Sequence, residues 1–145
     1  MKKLLPVLLV LAFAFTACSD GTGYAGKYAG TFTFIKDSTT KSGNVRITNN
    51  PLSQNGLLLY GVLPLNSVST GVYQASSENV EFIAGVLESI IGSSNYINTA
   101  EEAVKNIKVD ATFTGNTLNM DVYYEIQILN TLQTRVEIIK FTGSK

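Results

Sequence analysis

The chain's only thiol is Cys18, and its setting suits lipid attachment. Lys2 and Lys3 precede an apolar run from Leu4 to Phe15, and Thr16-Ala17 leads directly into the cysteine. Forming a thioether with an activated lipid requires a thiol nucleophile, and cleavage just before it requires a small side chain that fits a narrow protease pocket. No histidine occurs, which excludes histidine triads, histidine proton shuttles and histidine metal ligands. The remaining chemistry lies with carboxylates and phenols. Asp110 and Asp121 are a candidate pair for glycoside cleavage by two carboxylates, which would make the chain an envelope hydrolase. Their expected place is a solvated sheet face without a cleft, so the sequence favours no catalytic residue and a non-enzymatic protein. Glu101-Glu102 suits a helix start better than metal ligation. The other acids are scattered without calcium-loop spacing, so no metal and no cofactor is expected. With neither a phosphate-cradling glycine loop nor a basic patch, nucleotides and nucleic acid are poor partners. Of the seven tyrosines, Tyr123, with Tyr96 and Tyr73, is a candidate platform for stacking a sugar ring.

The charged, apolar and small-residue segments before Cys18 follow the order of a bacterial lipoprotein export signal. Its 12-residue apolar run is shorter than the roughly 20 residues a spanning helix needs, which marks residues 1–17 as a signal peptide. Removing them from 145 leaves 128 residues and turns 11 basic and 11 acidic side chains into 9 and 11. That length fits one domain with a real core, and without a second cysteine the core must hold by packing alone. An acyl chain contributes about 0.8 kcal/mol per buried methylene, and lasting attachment takes more than one chain. The expected organisation is a signal peptide at 1–17, a lipidated glycine-rich tether at 18–26 and a single β-rich domain at 27–145. The expected address is the bacterial outer membrane, surface or periplasmic face undecided.

Alternation defines the strands that must position any site. Phe32 and Phe34 share one face of a first strand, Tyr28 to Ile35, with Thr31 and Thr33 on the other. Val45 and Ile47 mark a second strand that Asn49-Asn50-Pro51 ends. Leu57 to Leu65 is apolar on both faces, as a strand buried on two sides or meeting a ligand would be. Gly115-Asn116 predicts a tight hairpin turn whose register sets Phe113 against Leu118, Ala111 against Met120, Val109 against Val122 and Ile107 against Tyr124. A final strand from Thr134 to Phe141 brings Val136 and Ile138 to the face of Tyr124 and Ile126 if three residues, Asn130 to Leu132, form the loop. Ile83, Val86, Leu87, Ile90 and Ile91 recur at helical spacing before Gly92. Thr99 with Glu102 forms a capping box ahead of Ala103, Val104 and Ile107, which predicts a second short helix. The fold class is mainly β, an antiparallel meander forming a small barrel or cupped sheet with one or two short helices between residues 79 and 106; the alternative is α+β.

Cys18-Ser19-Asp20 resembles the start of Bacteroidetes lipoproteins, in which serine and acidic residues after the cysteine act as a surface-export signal; Gly21 and Thr22 depart from it. Gly26-Lys27-Tyr28 resembles the Gly-x-Trp entry of lipocalins and their calycin relatives, with tyrosine in place of tryptophan. The mature chain is similar to small calycin-like or uncharacterised-domain lipoproteins of that phylum. The resemblance implies a barrel or cupped sheet that holds an apolar ligand, with Arg135 or Lys140 crossing the Tyr28 ring. Asp37-Ser38-Thr39 resembles the O-glycosylation sequence of the same bacteria, which implies modification of Ser38 in an exposed turn. The leading expectation is therefore a lipid-anchored envelope protein binding an apolar small molecule or a partner protein, with Leu57, Leu59, Tyr60 and Val62 as candidate ligand surface. The rival is a surface glycan-binding module accessory to carbohydrate uptake, built around Tyr123.

Overall fold

The computed structural model describes residues 23–92, 99 and 101–145. Residues 1–17, expected as a signal peptide, and Cys18 lie outside the described residues, as does Tyr96. Eight antiparallel strands form a closed barrel in chain order: β1 (Gly26–Phe34), β2 (Thr39–Asn49), β3 (Leu57–Leu59), β4 (Leu63–Ser69), β5 (Val72–Ser77), β6 (Glu102–Thr114), β7 (Thr117–Ile128) and β8 (Thr134–Ser144), which returns to pair with β1. Among the described residues one helix, α1 (Val80–Ile91), follows β5. Eight strands enclose a space that side chains can fill, and here Tyr28, Phe32, Val45, Leu57, Leu59, Leu65, Val109, Val122 and Phe141 fill it. The fold is thus mainly β, as the alternation predicts.

The seam where the barrel closes depends on three glycines in one row. Gly30 faces Gly43 on β2 and Gly143 on β8. A Cβ on Gly30 would lie within 2.1 Å of the Thr142 carbonyl oxygen, and one on Gly43 would strike the Phe32 ring at 2.7 Å. Without side chains there backbone and rings approach closely, and the rings of Phe32 and Phe141 lie against Gly43 and Gly143 with their centres 4.7 Å apart.

The Gly115 hairpin takes the expected register, with all four apolar pairs directly opposed and Gly115 at φ +57°. The helix also follows its pattern: Ile83, Val86, Leu87 and Ile90 are buried, the Asn79 side chain accepts the Glu81 N–H, and Gly92 ends it at φ +80°. These four side chains join the barrel's own core, and α1 packs on β2, β4 and β6, closing one end of the barrel.

Three expectations are corrected. No second helix follows Thr99; Glu102 onward is β6. The Thr99 hydroxyl accepts the Glu102 N–H at 3.0 Å and the Thr99 N–H donates to the Glu102 carbonyl at 2.9 Å, which closes a turn and caps no helix, and a bulge between Val104 and Asn106 brings Val104 and Ile107 to one face. That three-residue spacing imitates a helical stripe, and twelve paired positions with β7 outweigh the local signal. Leu57 to Leu65 is a hairpin instead of one strand, because Tyr60 and Gly61 take φ of +53° and +76° and turn the chain. On β8, Tyr124 faces Glu137 and Glu125 faces Val136, one residue from the expected register. Aligning Phe141 with Met120 and Ile139 with Val122 buries two large side chains, which decides the pairing and leaves Val136 59% exposed.

Candidate functional site

The register of β8 creates the most unusual feature of the interior, an acid on the core face. Glu137 shares that face with Ile139 and Phe141, and its side chain is only 10% exposed. A carboxylate so placed must be paired. The Tyr124 hydroxyl donates to its Oε2 at 2.7 Å, Arg135 Nε donates to Oε1 at 2.9 Å, and Lys36 Nζ lies 3.1 Å from Oε1. Burial raises the cost of charging Glu137, and the bonds from Tyr124, Arg135 and Lys36 together outweigh it, so the carboxyl titrates below its usual value. Arg135 also grips Glu102 through both guanidinium nitrogens, at 2.5 and 2.9 Å. The bond to Arg135 lowers Glu102, and those to Glu102 and Glu137 hold the guanidinium more firmly protonated than usual.

A cavity of about 220 Å³ opens beside this network at the helix end of the barrel, lined by Phe34, Lys36, Asp37, Thr39, Ile91, Tyr124, Glu137 and Ile138. The end of β1 supplies Phe34 and the start of β2 supplies Thr39. The β1–β2 turn supplies Lys36 and Asp37, the last residue of α1 supplies Ile91, and β7 and β8 supply Tyr124, Glu137 and Ile138. Asp37 Oδ1 accepts both the N–H and the hydroxyl of Thr39, at 3.0 and 2.6 Å, which shapes the turn and lowers the Asp37 carboxyl. The helix end is fixed nearby, because Lys41 Nζ donates to the carbonyls of Ile90 and Ile91 at 3.4 and 3.2 Å. The pocket thus presents a phenol, an amine and two carboxylates against three apolar walls. It suits a small amphiphile whose polar group exchanges hydrogen bonds with the network.

The opposite end is sealed by rings. Tyr24 stacks on Phe113 at 4.7 Å and meets Tyr73 edge-on at 5.9 Å, while Tyr28 lies 5.7 Å from Phe113. Tyr24 packs on the barrel, so the folded domain reaches back at least that far into the segment expected as tether. Lys145 Nζ sits 5.4 Å over the Tyr28 ring and donates to the carbonyls of Gly23 and Ala25 at 2.5 and 2.9 Å. A basic residue does cross that ring, but it is neither Arg135, which serves Glu102 and Glu137, nor Lys140, which pairs with Asp121 at 3.5 Å.

The other candidates fall as follows. Leu57 and Leu59 are fully buried inside the barrel. Tyr60 is half-buried with its hydroxyl on the Asn44 carbonyl at 3.0 Å, and burial raises its pKa. Val62 packs where a Cβ on Gly85 of α1 would be 3.0 Å away. These four do not form an open surface. Asp110 and Asp121 do face each other across β6 and β7, on the outer wall, each beside its own lysine, Lys108 at 3.3 Å and Lys140. Neither lines the cavity. Tyr123 carries Lys108 Nζ 5.5 Å over its ring, and Tyr73 is interior, so those two tyrosines share no platform. Ser38 sits exposed at φ +57° in the β1–β2 turn, between Asp37 and Thr39 of the cavity lining but not itself part of it. Lys36, Tyr124, Arg135 and Glu137 carry no motif; the usable signal was an acid at an alternating core position.

Among the described residues no helix is long and apolar enough to cross a membrane. The outward side chains of β6 and β7 include Lys108, Thr112, Asn119 and Asp121, so that wall faces water. Comparison with family models, with curated proteins and with solved structures finds no match to the chain.

Proposed function

We propose that this chain is a lipid-anchored protein of the bacterial outer membrane, held through Cys18, that binds a small amphiphilic molecule in the cavity at the helix end of its barrel. The observation that carries the reading is Glu137 turned inward beside an open, partly apolar recess instead of the methyl-rich packing that fills the rest of the interior. Storing a carboxylate there costs stability, and a ligand-facing network accounts for that cost. The N-terminal signal order supports the anchor, and a closed eight-stranded barrel offers a ligand site at its mouth. Glycan stacking is the weaker reading because Lys108 occupies one face of Tyr123 and Tyr73 is buried.

The test is native mass spectrometry of the full chain purified from its own host, beside Thr39→Trp, which fills the cavity from an exposed position. The wild type should carry a bound small-molecule mass that the variant loses at least tenfold. An unliganded wild type, or an equal load on both proteins, contradicts the reading.

A further inference from the structure

We propose that the aromatic end of the barrel rests on a phospholipid leaflet with Leu52 seated among the headgroups, so that the cavity opens away from the membrane. The proposal rests on the anchored reading above and adds an orientation and a contact residue to it.

Leu52 is the most exposed large apolar side chain described, at 94%. It is held out by a loop that bonds to itself. Asn50 N–H donates to the Gly56 carbonyl at 2.9 Å, Ser53 N–H to the Asn50 carbonyl at 3.2 Å, and Leu52 N–H to the Asn50 side-chain oxygen at 3.0 Å. A loop so organised presents the leucine to solvent, where its apolar surface stays hydrated at a cost that a lipid interface removes.

The position of this loop matters as much as its shape. Gly26, where β1 begins, pairs with Ile47, and Gly23 and Tyr24 lie against Lys145 and Phe113, so the chain running back toward Cys18 leaves from the same end of the barrel as the turn that follows Asn49. Five residue steps separate Cys18 from Gly23, a reach of about 17 Å at full extension. An acylated Cys18 therefore keeps the aromatic end near the leaflet. The helix end lies roughly one barrel height further out, on the order of 20 Å for tilted strands of this length.

Charge is distributed in the same sense. The aromatic-end segments, residues 23–27, 50–56, 69–71 and 114–117, contain Lys27 and no carboxylate. The helix end carries Asp37, Glu78, Glu81, Glu88, Glu101, Glu102 and Glu137 against Lys36, Lys41 and Arg135, so carboxylates are in excess there. An anionic leaflet attracts the first surface and repels the second.

The experiment uses the full lipidated chain in phosphatidylethanolamine–phosphatidylglycerol vesicles. Leu52→Cys and, at the opposite end, Leu132→Cys each receive an environment-sensitive fluorophore; both sites are exposed, so the fold tolerates the label. With nitroxide-bearing lipid, position 52 should lose at least half its emission and position 132 should be unaffected. Proteins that float with vesicles but leave position 52 unquenched, or quench both positions, overturn the orientation and leave the anchor standing. Proteins that do not float overturn the anchor, and the orientation falls with it.

Discussion

The two ends of this barrel are closed by different materials. At the aromatic end Tyr24, Tyr28, Tyr73 and Phe113 pack ring against ring, and a lysine ties the entering chain over them. At the helix end, apolar side chains of α1 cover part of the opening, and the remainder is closed by Lys36, Arg135, Glu102, Glu137 and the Tyr124 hydroxyl. Rings fill space completely because they need no solvent. Charged groups must keep hydrogen-bond partners, and the result is a lined recess of about 220 Å³. The end that is costlier to assemble is thus the end at which we place the proposed ligand.

Substitutions at the two ends should separate these roles. The largest loss is expected from Phe113→Ala, which removes the ring that three tyrosines contact; about 3–5 kcal/mol of stability should disappear, measured by urea unfolding, while ligand occupancy in the surviving folded protein is retained. Glu137→Gln should cost about 1–3 kcal/mol at neutral pH and diminish ligand occupancy, the reverse selectivity. Because Glu137 titrates below its ordinary 4.5 in the folded chain, its contribution is complete at neutral pH and is lost as pH falls below that value. The wild type should therefore show a steeper fall in stability between about pH 5 and pH 3 than Glu137→Gln. A parallel fall in both proteins would remove Glu137 from the account. The smallest effect has the opposite sign. Leu132, 71% exposed, holds φ +56° in the β7–β8 turn, a conformation that costs a leucine about 1 kcal/mol, so Leu132→Gly should stabilise by about 0.5 kcal/mol, with the larger freedom of unfolded glycine taking back the rest.

The contrast between the ends also explains what was legible in the sequence. The Gly115 hairpin and α1 could be read because one local signal, a turn residue or a 3.6-residue stripe, agreed with the burial pattern beside it. Thr99 and Val104 misled because a cap and a three-residue apolar spacing are also what a turn and a β-bulge produce. The β8 register failed for a non-local reason: a three-residue loop from Asn130 to Leu132 would turn Val136 and Ile138 inward, whereas Ile139 and Phe141 decide the pairing. The site went unseen for the same reason, since Lys36, Tyr124 and Glu137 meet only after β1, β7 and β8 close the barrel. At the aromatic end, the cation over Tyr28 is Lys145, beyond the end of β8, and not the Arg135 or Lys140 that the resemblance implied.

The central claim is that the helix end is the binding end. Backbone amide shifts in a two-dimensional nitrogen–proton spectrum of the folded domain, recorded during titration with n-octanol as a minimal amphiphile, test it most directly. The account predicts saturable shifts at Lys36, Asp37, Thr39, Tyr124 and Glu137 with Tyr24, Tyr28 and Phe113 unmoved. Shifts centred on the aromatic end, or scattered over the barrel without saturation, would contradict it.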